Sequence, residues 1–485
     1  MCLQSLFQTL LFSCLFVTPH LKANEDQQLP VIGDTSSGIV ALRREKELGE
    51  SWVKSLRRQI KVVDDPLINT YFKDIVYRLV PNSRLQDRQL QLIIVDSPVL
   101  NAFAVPGGII GINAGLFIHA RSEQEFASVI AHELAHLSQR HYARSVEQVQ
   151  NSTPLQMAGL LASIIIAATA GSDAGMAALA GTQALGVQQQ LGHSRQNERE
   201  ADRVGLKTLV RSGMNPEAML SMFEQMLKSN RYSGDQVPEY LSTHPITASR
   251  IADLRSRIAH LPNGNYIENE EFYFMRARIQ LRFASSSHDA IEAFRERIAD
   301  SPRKSRPDQY GLALALTDNG EYSDALKIID KLLVESPYRV CLVIAKAQAL
   351  AGAGNIKASL SLLEEAQTIR GDNYPLAFYS GKMYMQAGKI NLAVKRFRDA
   401  SNANPKEPAV WYELAEAYGL AGNIVALHQA RAEYYFLQGR YKSAINQLEL
   451  AAKKNAGEYP ASSIIEQRLS EITALHMQSQ FWSKF

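Results

Sequence analysis

Residues 123–142 read EQEFASVIAHELAHLSQRHY, and this stretch decides the fold of the first half of the chain. It contains neither glycine nor proline, so no residue in it interrupts a helix. Ser122 followed by Glu125 is typical of a helix N-cap box. We therefore predict a continuous helix that carries the motif HELAH at 132–136.

The two histidines of this motif are spaced for metal binding. At about 100° per residue, His136 lies about 40° around the helix from His132, so both imidazoles can bind one zinc ion. Glu133 lies about 100° from His132, at the edge of the same face. From there it can contact a zinc-bound water without binding the metal, as a general base must. The motif predicts a hydrolytic zinc site with Glu133 as its base.

A catalytic zinc ion takes three protein ligands and keeps one open position. We expect the third ligand to be Glu198, in the stretch EREAD at 198–202. Asp202 shares a helical face with Glu198 and can accept the outward N–H of a zinc-bound histidine. Glu200 is the competing candidate, but it lies about 200° around the helix from Glu198. A solvated acidic face is the alternative interpretation of the stretch.

His244 lies in the loop sequence STHP at 242–245, where proline restricts the backbone. It can stabilise the oxyanion of a tetrahedral intermediate, or it can take the open zinc position and silence the site. A surface histidine without a role is the third interpretation. His141 lies about 140° around the predicted helix from His136, and we expect it to be a bystander. His193 has no assigned role.

The rest of the first half predicts helices around a small sheet. Apolar residues recur at helical spacing within 43–80, and further helical patterns cover 196–228 and 245–260. Residues 90–95 predict a buried strand, and 101–113 predict strand, turn and strand. This hairpin offers an edge strand on which an extended substrate can pair, with plain scaffold as the alternative.

The second half is helical and repetitive. Its glycines at 320, 354, 388 and 422 recur every 34 residues. A glycine between paired helices at this period resembles the tetratricopeptide repeat, whose stacked helix pairs form a solenoid with a concave groove. Gly439 repeats the signature only 17 residues after Gly422. We therefore expect a non-repeat helix inserted near 424–437.

Composition fits a folded protein of several domains. The 485 residues are 46% hydrophobic and 21% charged, which excludes a mostly disordered chain, and a net charge of +3 argues against a nucleic-acid binder. Three cysteines cannot form a disulfide framework.

We predict a mainly α fold with a small β-sheet. A zinc metallopeptidase domain at 24–262 is followed by an all-α tetratricopeptide repeat solenoid at 263–478.

Two apolar segments bear on localisation. Residues 1–23 contain one charged side chain, Lys22, and are interpreted as a secretory signal cleaved after Ala23. A short membrane anchor and a lipid attached at Cys14 are the alternatives. The stretch LQMAGLLASIIIAATA at 155–170 is too short to span a bilayer comfortably. We expect a lid beside the active site there, in peripheral contact with membrane or substrate, and a buried core helix is the alternative.

Three motifs carry a family resemblance. HELAH at 132–136, EREAD at 198–202, and STHP at 242–245 followed by Arg250 together resemble one zinc peptidase family. That family includes the CAAX prenyl proteases and the mitochondrial and bacterial membrane-stress proteases. The resemblance spans roughly residues 65–255.

The resemblance implies one zinc ion per chain, with His132, His136 and Glu198 as ligands and Glu133 as base. It also implies a functional acid at Asp202. With the predicted signal and repeat array, the chain is similar to an exported, periplasmic branch of the family, peripheral to the outer membrane. That likeness implies cleavage of misassembled outer-membrane proteins, chaperone-like help in β-barrel assembly, and contact between the tetratricopeptide domain and the β-barrel assembly machinery.

Two other functions compete with this one. A non-proteolytic chaperone or scaffold would act through the tetratricopeptide groove, but it requires a vestigial motif, and the intact Glu133 argues against that. A zinc hydrolase of small peptides or lipidated ends would trim substrates stepwise, whereas an endopeptidase makes internal cuts.

Overall fold

The computed structural model describes residues 42–142, 144, 184–232, 239–262, 264–300, 306–455, 457 and 459–483. The predicted signal at 1–23 and the predicted lid at 155–170 lie outside these residues. Among the helices of the described ranges, none is both long enough and apolar enough to cross a membrane.

The first half surrounds a small sheet with helices. Its helices are α1 (Leu42–Gln59), α2 (Pro66–Leu79), α3 (Gly115–His119), α4 (Glu123–Ser138), α5 (Ala184–Arg211), α6 (Glu217–Tyr232), α7 (Glu239–Thr243) and α8 (Ala248–Ile258). A short 3-10 turn, Val80–Asn82, follows α2. The prediction of a mainly α fold with a small sheet is confirmed.

The helix predicted at 123–142 begins where the sequence indicated and ends early. The Ser122 side chain accepts a hydrogen bond from the Glu125 N–H, so the predicted N-cap is present. The helix ends at Ser138, four residues before the predicted end. The pattern within 43–80 likewise becomes two helices, because Asp65 caps α2 and Pro66 occupies its first turn.

The three strands form one mixed sheet. They are β1 (Gln91–Val95), β2 (Ala102–Val105) and β3 (Ile109–Asn113). Their order is β1-β3-β2, with β1 parallel and β2 antiparallel to β3. The predicted hairpin is therefore present, but β3 is the central strand, so within the hairpin β2 is the strand at an edge of the described sheet. Helix α4, which carries the HELAH motif, packs against β2.

The second half is an array of antiparallel helices. They are α9 (Glu270–Arg282), α10 (Ser287–Asp300), α11 (Arg306–Asp318), α12 (Tyr322–Glu335), α13 (Val340–Gly352), α14 (Ile356–Arg370), α15 (Tyr374–Gln386), α16 (Ile390–Ala403), α17 (Pro408–Leu420), α18 (Ile424–Leu437), α19 (Tyr441–Asn455) and α20 (Ala461–Ser483). Each helix packs against the next along most of the array, as stacked repeats require.

The glycines that recur every 34 residues end their helices with the same backbone geometry. Gly320 and Gly354 have φ of 82° and 83°, in the left-handed region that glycine adopts without strain. The N–H after each glycine donates to the carbonyl five residues earlier, at 2.8 Å, which is the Schellman arrangement. The 34-residue spacing of the glycines in the sequence is therefore the spacing between equivalent turns, each of which joins two antiparallel helices.

The departure from this period at Gly439 has a structural reason. A helix does occupy the predicted segment, α18, and it has a glycine turn on each side, at Gly422 and Gly439. It packs against both α17 and α19. Thus α18 is the second helix of one pair and the first helix of the next, so it belongs to the array and is not an insertion.

The two halves share one hydrophobic core. Phe272 of the first repeat helix stacks on Phe117 of α3 at 6.0 Å between ring centroids and lies 5.6 Å from Phe126 of α4. Close by, Arg278 Nε of α9 donates to Asp65 Oδ2 at 3.0 Å. The first helix of the repeat array, α9, thus packs against α4, the helix that carries the HELAH motif.

Candidate metal centre and its comparison with known proteins

The site is built where α4 and α5 cross. Gly205 lies on α5 at the crossing, and a Cβ atom added there would stand 3.0 Å from the Ala131 carbonyl oxygen and 3.2 Å from the His132 Cα. Glycine therefore permits this close approach without displacing the backbone of α4. The close approach brings the carboxylates of 198–202 to the histidines of 132–136.

The three predicted ligands converge. The Nε2 atoms of His132 and His136 lie 3.1 Å apart. Glu198 Oε2 is 3.3 Å from His132 Nε2, and Glu198 Oε1 is 3.3 Å from His136 Nε2. Two imidazole nitrogens and a carboxylate oxygen around one point are the donor set of a catalytic zinc site, so the residues fit the predicted ion.

His244 joins this cluster. Its Nδ1 lies 3.1 Å from Glu198 Oε1, and one ligand atom from each of the four side chains falls within 4.8 Å of the others. The ring of Tyr240 stacks on that of His244 at 4.8 Å and holds it toward the cluster. The interpretation of His244 as a surface histidine is therefore excluded by its position.

Asp202 takes the position predicted for a carboxylate behind the metal. Its Oδ1 lies 3.1 Å from His132 Nδ1, on the side of the ring away from the cluster. Arg250 donates to both oxygens of Asp202 at 2.7 Å and approaches Glu198 Oε2 at 3.0 Å. One buried guanidinium thus holds both carboxylates in place.

The sequence analysis quoted Arg250 only as part of a resemblance and gave it no role. Its position is set by the helix N-cap of α8, where the Thr247 side chain accepts from the Arg250 N–H. The Arg250 guanidinium also donates to the Pro245 carbonyl at 2.7 Å. Because its bonds to Asp202 and Glu198 join distant segments, no spacing in the sequence could have indicated them.

The electrostatics of Glu198 and His136 favour metal ligation. Burial raises the pKa of the Glu198 carboxyl, but its interactions with the surrounding histidines outweigh burial and hold that pKa well below its usual range. Burial lowers the pKa of His136 to about 4. Glu198 is therefore ionised and His136 is neutral at pH 7, which are the protonation states that a metal requires.

The pKa of His132 shifts in the opposite direction to that of His136. Burial lowers its pKa, but hydrogen bonds to Asp202 and Glu198 outweigh burial and raise the pKa to about 9. The metal-free His132 ring is therefore protonated at pH 7 and would lose this proton when a metal binds.

Glu133 lies beside the ligands, as predicted. It is almost fully buried, and its Oε1 is 3.6 Å from His244 Nε2. Burial raises the pKa of this carboxyl. Within the described residues its Oε1 accepts no hydrogen bond of regular geometry, which leaves that oxygen available for a water or a substrate amine.

Two further side chains lie next to the predicted ligands. His141, expected to be a bystander, has its Nδ1 2.9 Å from His136 Nδ1. Glu200 is outside the cluster, as its helical angle predicted, and its Oε2 lies 3.3 Å from His141 Nε2. The helical angle used for His141 does not apply, because α4 ends at Ser138 before reaching it. The side chain of His193 lies outside the described residues.

Comparison with known proteins agrees with this site. Residues 66–258 match peptidase family M48. The beta-barrel assembly-enhancing protease of Escherichia coli strain K12 is 32% identical over 433 residues, which cover 89% of this chain and 88% of that protein. The mitochondrial metalloendopeptidase OMA1 of Arabidopsis thaliana is 30% identical over 188 residues, which cover 39% of this chain and 36% of that protein.

Among solved structures, a thermophilic TPR protein of Thermus thermophilus matches 42% of this chain and 100% of its own, at 18% identity and a TM-score of 0.28.

The clustered ligands, the adjacent glutamate and the family match define a metalloprotease. The chain belongs to peptidase family M48 and, within it, to the β-barrel assembly-enhancing proteases, with which it aligns through both the peptidase half and the repeat half. The resemblance noted from three short motifs is thereby confirmed.

Proposed function

We propose that the chain is an exported zinc metalloendopeptidase that hydrolyses peptide bonds of misfolded or stalled outer-membrane proteins. We also propose that it assists β-barrel assembly in a chaperone-like way. One observation carries the peptidase assignment: His132, His136 and Glu198 surround a single point, with the buried Glu133 beside them. The ligand roles and the base role are part of the proposal.

The residues divide the reaction between them. A bound zinc ion supplies Lewis acidity, which activates a water molecule and polarises the scissile carbonyl. Glu133 Oε1 takes the proton from the attacking water and passes it to the leaving amine. Its raised pKa, caused by burial, makes it a stronger base than an exposed glutamate. Asp202 and Arg250 keep His132 and Glu198 in position.

The position of β2 at an edge of the described sheet would allow an extended substrate to pair with it. Strand β2 lies against α4, so a chain paired with Ala102–Val105 would run past the HELAH motif. Main-chain pairing of this kind depends little on side chains, which suits cleavage of unfolded segments at varied sequences.

The substrate class, partners and compartment are proposed from the relatives. Proteins similar over most of their length are named for enhancing β-barrel assembly. We place this chain in the periplasm, peripheral to the outer membrane, after removal of residues 1–23. The peptidase domain would occupy 24–262, and the tetratricopeptide domain at 263–478 would contact the β-barrel assembly machinery.

The base role is tested by Glu133→Gln. Purified wild-type protein should contain about one zinc ion per chain and cut an unfolded outer-membrane protein at internal bonds. Glu133→Gln should keep the zinc and lose about 10²–10⁴-fold in cleavage rate, because the carboxylate that accepts the proton is gone. Glu217→Gln, exposed at the start of α6, is the control.

Each failure has a distinct meaning. Unchanged cleavage by Glu133→Gln would refute the mechanism. Zinc-free wild-type protein that still prevents aggregation would favour the non-proteolytic chaperone. Stepwise trimming from an end would favour the hydrolase of small peptides.

For His244 we propose an inhibitory role. The support is that His244 Nδ1 points at Glu198 and lies in the ligand cluster, where it can take the fourth zinc position. His244→Ala should then raise the rate of proteolysis at constant zinc content, with the exposed His260→Ala as control. A fall of about 10²–10³-fold would instead assign His244 to stabilisation of the oxyanion.

A further inference from the structure

A turn at residues 139–140 follows α4. Arg140 has φ of 49°, a left-handed conformation that residues other than glycine rarely adopt. The Arg140 guanidinium donates to Glu45 Oε1 of α1 at 2.6 Å, which anchors the turn. The turn returns His141 to the side of His136, at 4.8 Å between ring centroids.

In the contact between these two rings, the donor and the acceptor can be assigned. If His136 binds metal through Nε2, the proton of its neutral ring is on Nδ1, which must donate. His141 Nδ1 lies 2.9 Å away and accepts. The proton of His141 is then on Nε2, which is 3.3 Å from Glu200 Oε2 and donates to it. Each donor in this series of three side chains therefore faces an acceptor.

Glu200 is held in turn by a cation. Arg144 Nη2 donates to Glu200 Oε2 at 3.1 Å. His141 is buried, and Glu200 and Arg144 are progressively more exposed. The series therefore leads from the ligand cluster outward to the surface.

The same arrangement stands behind the other histidine. His132 Nδ1 faces Asp202 at 3.1 Å, and Asp202 is held by Arg250. Each histidine of the motif thus has its Nδ1 next to an acceptor. Behind His132 the acceptor is Asp202, which Arg250 contacts directly. Behind His136 the acceptor is His141, which Glu200 and then Arg144 support. Groups in this position fix the tautomer of a ligating histidine and raise its basicity.

We propose that His141 is a positioning residue for the zinc ligand His136, and that Glu200 and Arg144 orient His141. The inference rests on the proposed function, because it requires zinc on His136. His141 does not touch substrate or metal; it sets the direction of the His136 ring and keeps its proton on Nδ1. Loss of His141 should therefore weaken zinc binding without unfolding the metal-free protein.

The test compares variants of position 141 by zinc affinity. His141→Leu keeps bulk but removes the acceptor, and we expect its zinc dissociation constant, measured by chelator competition, to rise about 10–100-fold. His141→Gln offers an amide oxygen to His136 and should recover most of this loss. Glu200→Gln removes only the outer carboxylate, and zinc should leave it a few-fold faster than wild type.

Two controls separate a positioning role from plain packing. The exposed His288→Ala should bind zinc as wild type does. Asp202→Asn gives the expected size of loss on the opposite side of the site. The unfolding midpoint of the metal-free protein should be similar for wild type and His141→Gln.

The inference is overturned if His141→Leu and Glu200→Gln both bind zinc within about twofold of wild type. It is also overturned if His141→Gln is as impaired as His141→Leu, since packing alone would then account for the loss. If His141→Leu does not fold, Glu200→Gln decides by its zinc release rate. Wild-type protein that binds no zinc would refute the proposed function instead.

Discussion

The peptidase site and the repeat array are stabilised in opposite ways. Around the metal centre, a few buried charged side chains depend on one another, and the single guanidinium of Arg250 contacts both Asp202 and Glu198. In the array, apolar contacts are spread over many helices, and glycine turns repeat the same geometry. Single substitutions should therefore be severe in the first region and mild in the second.

The largest effect is expected for Arg250→Met. It leaves two buried carboxylates without their cation, and we expect the free energy of unfolding to fall by about 3–5 kcal/mol. Urea unfolding of the zinc-loaded protein measures this. Arg255→Met on the same helix breaks an exposed pair with Glu224 and should cost about 0–1 kcal/mol. Equal losses in the two variants would remove the contrast between buried and exposed pairs.

A smaller effect is expected for Ile329→Val in the array. Ile329 is fully buried on α12, so removing one methylene should cost about 0.5–1.5 kcal/mol. Hydrogen exchange of α11–α13 should speed up while zinc affinity stays unchanged. Val334→Ala, exposed on the same helix, is the control. A change in zinc affinity would show that the array acts on the metal centre through single contacts.

The smallest effect concerns Lys54, where α1 meets the end of the array. Its ammonium lies 4.0 Å from the Phe436 ring centroid, and burial lowers its pKa from 10.5 to about 8. Because the folded-state pKa is the lower one, protonated Lys54 opposes folding below about pH 8, and this cost disappears as the pH rises to 10.5.

Lys54→Met should therefore raise the unfolding temperature by a few degrees at pH 7, and the gain should shrink toward pH 10.5. Lys46→Met, on the same helix at a side chain that is 43% exposed, should show no such trend. A gain that is independent of pH would assign the effect to apolar burial of the methionine.

The sequence predicted the features that follow a fixed period. His132 and His136, like Glu198 and Asp202, are four residues apart, and the helical repeat alone places each pair on one face. The turn glycines were predictable for the same reason. The role of α18 was not, because one helix can complete two pairs without changing its own pattern.

The sequence did not predict the features that depend on a turn or on a distant contact. His141 reaches His136 only because Arg140 adopts a left-handed conformation, and no helical angle indicates that. Arg250 reaches Asp202 from a separate helix, across 48 residues of chain. The motifs therefore located the candidate ligands and Asp202, but only the fold showed that Arg250 and His141 lie against them.

The central claim is that one zinc ion binds between α4 and α5. An anomalous difference map recorded at the zinc absorption edge from crystals of the zinc-loaded protein tests it most directly. The account predicts one peak per chain, about 2.0–2.1 Å from the Nε2 atoms of His132 and His136 and about 2.0–2.2 Å from a Glu198 oxygen. A map with no peak among these three side chains, or with zinc bound elsewhere, would contradict it.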